Sequence, residues 1–342
     1  MIGSAAPQCR SQLMKPDDTF LLVRITYFFH AGVIWLYLQS FVFVKSGTEV
    51  PRYTVEENME INQNTKILIV GTGLIGGSYA QGLTGAGFEV GGVDKKEENL
   101  RYCLERGWLA HGSTDPSPEY LSQFDIVILA LYPQRVYEWI LAHMDALKPG
   151  ALLTDTAGVK GTIVASIQAS LRPDLEFVGA HPMAGRERGG MEYAGADIFK
   201  GANFIVTPTE KNTPAGIETA EEIGRALGFR QIVTLSPAEH DEMIAFLSQM
   251  THCVAVALMT CKECDGFEKY SGDSFRDLTR IAKIDEKMWP NLFALNKEEL
   301  VAQMDLFEAQ FRRMREYIQN DEKDKLREMM VLSTQRREKF DR

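Results

Sequence analysis

A doubly wound α/β sheet followed by an all-helical region is the fold that this sequence predicts, and three observations predict it. From Lys66 to Leu235 short apolar runs alternate with stretches that read as helices. The first run feeds a glycine-rich turn, GTGLIGG at Gly71–Gly77. After Ser236-Pro237 no strand signal survives, and three long stretches of helical apolar spacing take over.

The first strand is Lys66-Ile67-Leu68-Ile69-Val70, almost wholly apolar as a buried parallel strand should be. Gly71, Gly73 and Gly76 then fit G-x-G-x-x-G. The first permits a tight turn, the second lets backbone approach a pyrophosphate, and the third lets the next helix pack on the strand. That helix reads as Ser78 to Ala86, with N-terminal amides able to hold phosphate charge. A second strand, Phe88 to Val93, ends in Asp94, eighteen residues after Gly76. A carboxylate there accepts hydrogen bonds from the ribose hydroxyls of NAD and repels the extra phosphate of NADP. Lys95 and Lys96 are the competing feature, suited to a 2'-phosphate. Gly71, Gly73, Leu74, Ile75, Gly76 and Asp94 are the candidate cofactor-binding residues, and NAD is the expected cofactor.

The alternation continues with strands at Asp125–Leu131, Ala151–Asp155, Leu175–Ala180, Asn203–Thr207 and Arg230–Leu235. Helices are expected at Gln134–Leu147, Lys160–Leu171 and Pro214–Leu227. Residues 65–235 form the expected nucleotide-binding domain. Residues 236–342 form a helical domain, with helices over Ala238–Glu263, Lys287–Tyr317 and Glu322–Phe340 whose broad apolar faces suit burial between subunits.

Residues 1–58 stand apart. Ile25 to Val44 is a twenty-residue run without formal charge, long enough to cross a bilayer and bracketed by Arg24 and Lys45. One reading is a membrane anchor, which would give the protein its only membrane contact. The other is that translation begins at Met59, just before the first strand, so that the extension is not part of the enzyme. Net charge is -10, from 37 basic and 47 acidic side chains, and no basic face stands out, which argues against a nucleic-acid partner. The five cysteines show no disulfide spacing, and Cys261-x-x-Cys264 lacks the second pair a zinc site would want. Reduced thiols fit a cytoplasmic enzyme with no metal.

A second motif follows the strand Leu175–Ala180: His181-Pro-Met-Ala-Gly-x-Glu187. It puts a histidine and a carboxylate in a glycine-bearing loop on the sheet that carries the glycine fingerprint. In order along the chain come Asp155-x-x-x-x-Lys160, this motif, Pro237-x-x-His240-Asp241, Ser248-x-x-x-His252, Phe275-Arg-Asp-x-Thr-Arg280-Ile-Ala and Met288-Trp289. Together these resemble the prephenate/arogenate dehydrogenase family over about Thr65 to Ile318. The resemblance implies a Rossmann-type domain followed by an all-α dimerisation domain, and a homodimer. It implies NAD-dependent oxidative decarboxylation of prephenate to 4-hydroxyphenylpyruvate, a step of tyrosine biosynthesis, with arogenate as the alternative substrate. On the residues alone, another Rossmann-fold 3-hydroxyacid or imine reductase, or a non-catalytic NAD-binding dimer, stays open.

His181 is the candidate proton acceptor, since a neutral histidine titrates near working pH. The resemblance also places His252 at the reaction site and Ser248 beside the substrate, with Glu187 gating the pocket. Two substrate carboxylates want cations, and Arg276 and Arg280, four apart, would share a helical face. His240 reads as a capping or packing residue at a helix start, and Asp155 and Lys160 as residues shaping a loop. Trp289 reads as a core anchor. One position departs from the family pattern: many members carry a serine three residues after the aspartate of D-x-x-x-x-K, and this chain has Gly158.

Overall fold

The strand Lys66–Val70 is apolar on both faces because both faces are covered. Ile67 and Ile69 belong to one buried cluster, Leu68 and Val70 to the other. The same division recurs at Ile126 and Ile128 against Val127 and Leu129. It is what the two-residue period of a central strand requires when helices lie on either side. The computed structural model describes residues 20–30, 33–43, 61–186 and 190–341.

An antiparallel ribbon comes first, β1 (Phe20–His30) paired with β2 (Val33–Phe43). Strands β3 (Lys66–Val70), β4 (Glu89–Val93), β5 (His111–Ser113), β6 (Ile126–Leu129), β7 (Leu152–Asp155), β8 (Glu176–Pro182), β9 (Asn203–Thr207) and β10 (Gln231–Thr234) make one sheet. Its order is β10-β9-β8-β7-β6-β3-β4-β5. The helices between them are α1 (Leu74–Gly85), α2 (Glu97–Glu105), α3 (Pro118–Leu121), α4 (Pro133–His143), α5 (Gly161–Ser170) and α6 (Pro214–Ala226). Side chains of α1, α2 and α6 fill one cluster, those of α4 and α5 the other. The sheet is parallel from β5 through β8, but β9 runs antiparallel to β8, and β10 follows β9. A parallel neighbour needs a long crossover, usually helical. Among its described residues the connection after β8 holds only short 3-10 turns, and β9 folds back beside β8 at the end where His181 lies.

The helical region holds α7 (Pro237–Ile244), a π-helical turn (Ala245–Met250) and α8 (Thr251–Thr260) as one continuous rod. Then come α9 (Asp273–Thr279), α10 (Trp289–Leu295), α11 (Lys297–Gln319) and α12 (Lys323–Arg337).

Four features differ from the sequence expectation. Helix α1 begins at Leu74 rather than Ser78, because the last residues of the glycine fingerprint are already its first turn. The long helix expected over Lys287–Tyr317 is broken at the buried Asn296, whose side-chain amide donates to the Asp241 carbonyl and to Gln249 Oε1. The rod over Pro237–Thr260 passes without a break through a π turn at Ala245–Met250, a feature that widens the helix locally. The described part of the run Ile25–Val44, for which a membrane-crossing span is one reading, belongs to the paired strands Phe20–His30 and Val33–Phe43 rather than to a helix. By contact the chain divides into two units, Met1–Asn58 and Met59–Arg342. Among the described residues the rod Pro237–Thr260 is the one helix long and apolar enough to cross a membrane. It packs on α9 and α11.

Candidate active site

The glycine turn is shaped for a dinucleotide. Gly71 has φ +88, and a Cβ there would lie 2.5 Å from the Ala130 carbonyl oxygen. A Cβ on Gly76 would lie 1.8 Å from the Gly71 oxygen, whereas Gly73 faces open space where a phosphate can approach. Gly73 caps α1 without a side chain, and no acidic residue occupies the first turn. The first amides of α1, Leu74 and Ile75 among them, are therefore left to an anion. At the tip of β4, Asp94 Oδ2 accepts from the Thr72 amide (2.8 Å), the Thr72 hydroxyl (2.9 Å) and Asn99 Nδ2 (3.1 Å). Its Oδ1 accepts from the Lys96 amide at 2.8 Å. Four donors hold the carboxylate at the edge of the turn. Thr72 and Asn99 were not legible as part of this arrangement, since neither belongs to the glycine pattern. The residues present fit a bound NAD.

The strand ends next to the turn are fastened by a buried ion pair. Lys160 Nζ lies 2.6 Å from Asp155 Oδ2, and both side chains are 0% exposed. Lys160 also donates to the Ala180 carbonyl. Asp155 accepts from the amides of Ala157 (3.0 Å) and Ala180 (3.1 Å). Burial pushes the Lys160 ammonium below its ordinary pKa, and Asp155 opposes that. Asp155 and Lys160 therefore do more than shape a loop. They tie β7, the start of α5 and the end of β8 together directly before His181.

His181 is the next-to-last residue of β8, with its Nδ1 2.9 Å from His240 Nε2, and His240 Nδ1 lies 2.7 Å from Asp241 Oδ1. Burial lowers the His181 pKa well below the ordinary histidine value, with His240 and then Lys160 adding to the effect. Burial lowers that of His240 too, opposed by its hydrogen bond to Asp241. His240 is not a cap. Ser236 caps α7, in a capping box with Glu239, and the His240 ring turns inward with 0% exposure. Of the two roles read for it, capping and packing, only an inward, packed position fits. Its signal was present in the His-Asp dipeptide one turn into a helix, but its partner is 59 positions away.

The other edge of His181 faces Gly158. A Cβ on Gly158 would lie 3.7 Å from both Cε1 and Nε2 of His181, and 4.0 Å from a Leu292 methyl of α10. One turn earlier on α10, Trp289 lies against His252 with centroids 3.9 Å apart and the rings tilted by 33°. Leu292 and Trp289 are three residues apart on one helix face, so α10 links the surroundings of the two histidines. His252 Nδ1 donates to the Ser248 carbonyl at 2.9 Å, and burial lowers the His252 pKa. Ser248 itself sits in the π turn, half-buried. Arg280 opens a 3-10 turn (Arg280–Ala282) that packs against α8. Arg276 is exposed and paired with Asp273 at 2.6 Å, and only Arg276 of the two lies within α9. Glu187 lies outside the described residues.

Comparison with known proteins agrees with this geometry. Residues 80–233 match the family model described as the prephenate dehydrogenase nucleotide-binding domain, and residues 236–332 match that of the prephenate dehydrogenase dimerization domain. The chain is 30% identical to the cyclohexadienyl dehydrogenase of Zymomonas mobilis over 77% of its own length and 91% of that protein's. It is 31% identical to the prephenate dehydrogenase of Lactococcus lactis, over 71% and 68% of the two chains. The crystal structure of prephenate dehydrogenase from Aquifex aeolicus in complex with hydroxyphenyl propionate and NAD+ superposes with a TM-score of 0.73. It shares 31% identity, and the match covers 81% of this chain and 98% of that one. Two matched domains, in the order the fold presents them, place this chain in the prephenate dehydrogenase family.

Proposed function

We propose that the chain catalyses NAD-dependent oxidative decarboxylation of prephenate to 4-hydroxyphenylpyruvate, with His181 as proton acceptor. The observation that carries this reading is the Nε2 edge of His181, which faces Gly158 on the same sheet that carries a turn shaped for a dinucleotide. Gly71, Gly73, Leu74, Ile75 and Gly76 would hold the pyrophosphate of NAD, and Asp94 its ribose. Bound there, NAD supplies the hydride acceptor.

His181 takes the proton of the substrate's ring hydroxyl as hydride leaves the carbon bearing it. The carbon–carbon bond to the ring carboxylate then breaks, carbon dioxide departs, and the electron pair enters the ring. His181 returns its proton to the phenolate oxygen, so no net proton is consumed. Aromatisation makes the step downhill, so binding, orientation and one proton transfer are what the protein must supply.

Substrate binding falls to the helical region. His252 and Ser248 face the substrate from the rod, and Arg280 pairs with one carboxylate. Arg276, exposed and paired with Asp273, is the second candidate. Glu187 gates the entrance. The protein works as a homodimer through the helical region, whose α11 exposes Phe307 and Phe311. Steady-state assays with prephenate and arogenate, each with NAD and NADP, test the proposal. Turnover of prephenate with NAD at least about tenfold more efficient than with NADP is expected from one charge repulsion at Asp94. Equal efficiencies, or activity confined to arogenate, would overturn the corresponding assignment.

A further inference from the structure

The hydrogen bonds around His181 determine which of its nitrogens carries the proton. Asp241 presents both carboxylate oxygens to backbone donors at the start of α5. Oδ1 accepts from the Lys160 amide (2.8 Å) and Oδ2 from the Gly161 amide (2.7 Å). A Cβ on Gly161 would sit 3.0 Å from Oδ2, so the glycine permits this approach. With an amide donating to each oxygen, the carboxylate meets its neighbours as an acceptor. His240 Nδ1, 2.7 Å from Oδ1, therefore carries a hydrogen. His240 is wholly buried, and its neutral form then leaves Nε2 as a lone pair. That lone pair meets His181 Nδ1 at 2.9 Å, so His181 Nδ1 must donate. The opposite tautomer of His181 would set two lone pairs against each other. With Nδ1 protonated, the free lone pair of His181 lies on Nε2, the nitrogen that faces Gly158.

We propose that His240 is a positioning residue that holds His181 in the Nδ1-protonated tautomer, with Asp241 holding His240 in turn. The inference rests on His181 being the proton acceptor. When His181 Nε2 takes a proton, its Nδ1–H continues to donate to His240, and the Asp241 charge lies across one further ring. No proton passes to Asp241. The frame is braced from the helical region: Asn296 donates to the Asp241 carbonyl and to Gln249 Oε1 (2.9 Å each), and Gln249 reaches the Leu292 carbonyl at 3.3 Å. Because the donors to Asp241 belong to the nucleotide-binding region and His240 to α7, the tautomer is set where the two regions meet.

Histidine-labelled enzyme, without substrate, gives the tautomer directly by nitrogen NMR, with His181→Asn assigning the signal. The expected result is a protonated Nδ1 and an unprotonated Nε2 at His181. A protonated Nε2 in the unmodified enzyme would overturn the proposal, whatever the activity. His240→Phe is expected to lose that preference and to lower kcat by about tenfold or more, with KM for prephenate within about threefold. His240→Gln, whose amide oxygen can accept from His181 Nδ1, is expected to recover most of that loss. A His240→Phe enzyme that keeps the tautomer and its kcat would sink the idea. If prephenate is not turned over but the tautomer is as stated, the functional reading fails and the positioning role stands.

Discussion

His181 and His252 are the same residue held in two ways. His252 is fixed locally: its Nδ1 donates to a carbonyl four residues back on its own helix, and Trp289 covers its ring. His181 is fixed from a distance, through His240 and Asp241 on a helix that begins over fifty residues later. Close to it lies the buried ion pair of Lys160 and Asp155, and no such pair adjoins His252 among the described residues. A local tether sets a ring's orientation and leaves its titration largely to burial. A long-range one adds charges that tune the ring, and it depends on two regions being correctly docked. This suits a substrate-binding group in the first case and a proton acceptor in the second.

The largest effect should come from the ion pair. Lys160→Met leaves Asp155 buried with two amide donors and no cation. Breaking such a pair on one side costs about 3–5 kcal/mol, readable by chemical denaturation. His252→Asn, near which no such pair lies among the described residues, should cost less than half as much. Equal losses would show that the buried charges near His181 are not what distinguishes the two sites. Adding Asp155→Asn to Lys160→Met should recover part of the loss.

The two histidines should also separate kinetically. His181→Asn is expected to lower kcat about a hundredfold, with KM within severalfold, as for loss of a general base. His252→Asn and Arg280→Ala are expected mainly to raise KM, by about tenfold, as for loss of binding shared by ground and transition states. The reverse pattern would exchange the roles.

This contrast also explains what could be read in the sequence. Lys66–Val70 with its glycines, Asp94 and the strand-helix alternation are contiguous patterns, and each reports a contact within a few residues or one βαβ unit. Ser248 and His252 were legible for the same reason, four residues apart on one rod. His240 was not. Its inward turn depends on β8 and α5 meeting α7, which no local spacing encodes. The break at Asn296 was hidden likewise, because a buried amide tie to Asp241 overrides a continuous helical pattern. The reversal of β9 was concealed in a loop whose length alone does not say that a crossover helix is missing.

Acid should expose the difference more gently. The folded pKa values of His181 and His240 are lowered, by burial first. Lys160 lowers both further, while Asp241 and Asp155 act on His240 in the opposite sense. The unfolded chain protonates at the ordinary value of about 6.5, the folded chain only below it. Stability from these groups is therefore complete above about 6.5 and is lost as pH falls from there toward the folded values. Denaturation midpoints should drop across that window, and His240→Gln should flatten the drop. The acid limb of kcat/KM should likewise lie below 6.5, since the neutral base persists to lower pH. A limb above that value would contradict the burial of His181.

The smallest effect is expected at Gly158, on the free side of His181. Its φ is not among the positive ones, so a side chain meets no backbone strain there. A Cβ would stand 3.7 Å from His181 Nε2 and 4.0 Å from Leu292, ordinary contact distances. Gly158→Ser should therefore fold as well as the parent, and its hydroxyl can reach the lone pair of Nε2. One hydrogen bond to a group that gains charge in the transition state is worth about 1.5 kcal/mol at most, or about tenfold in rate. Two things reduce that ceiling. A hydroxyl donating to Nε2 occupies the lone pair that the substrate's proton needs, and a water can already serve the position. A change of less than about fivefold in kcat in either direction is expected, with His181 still indispensable in the Gly158→Ser background. A gain far above tenfold would show that the serine found in other members is a working part of the proton path. It would also show that in this chain the long-range frame of His240 and Asp241 does not make up for its absence.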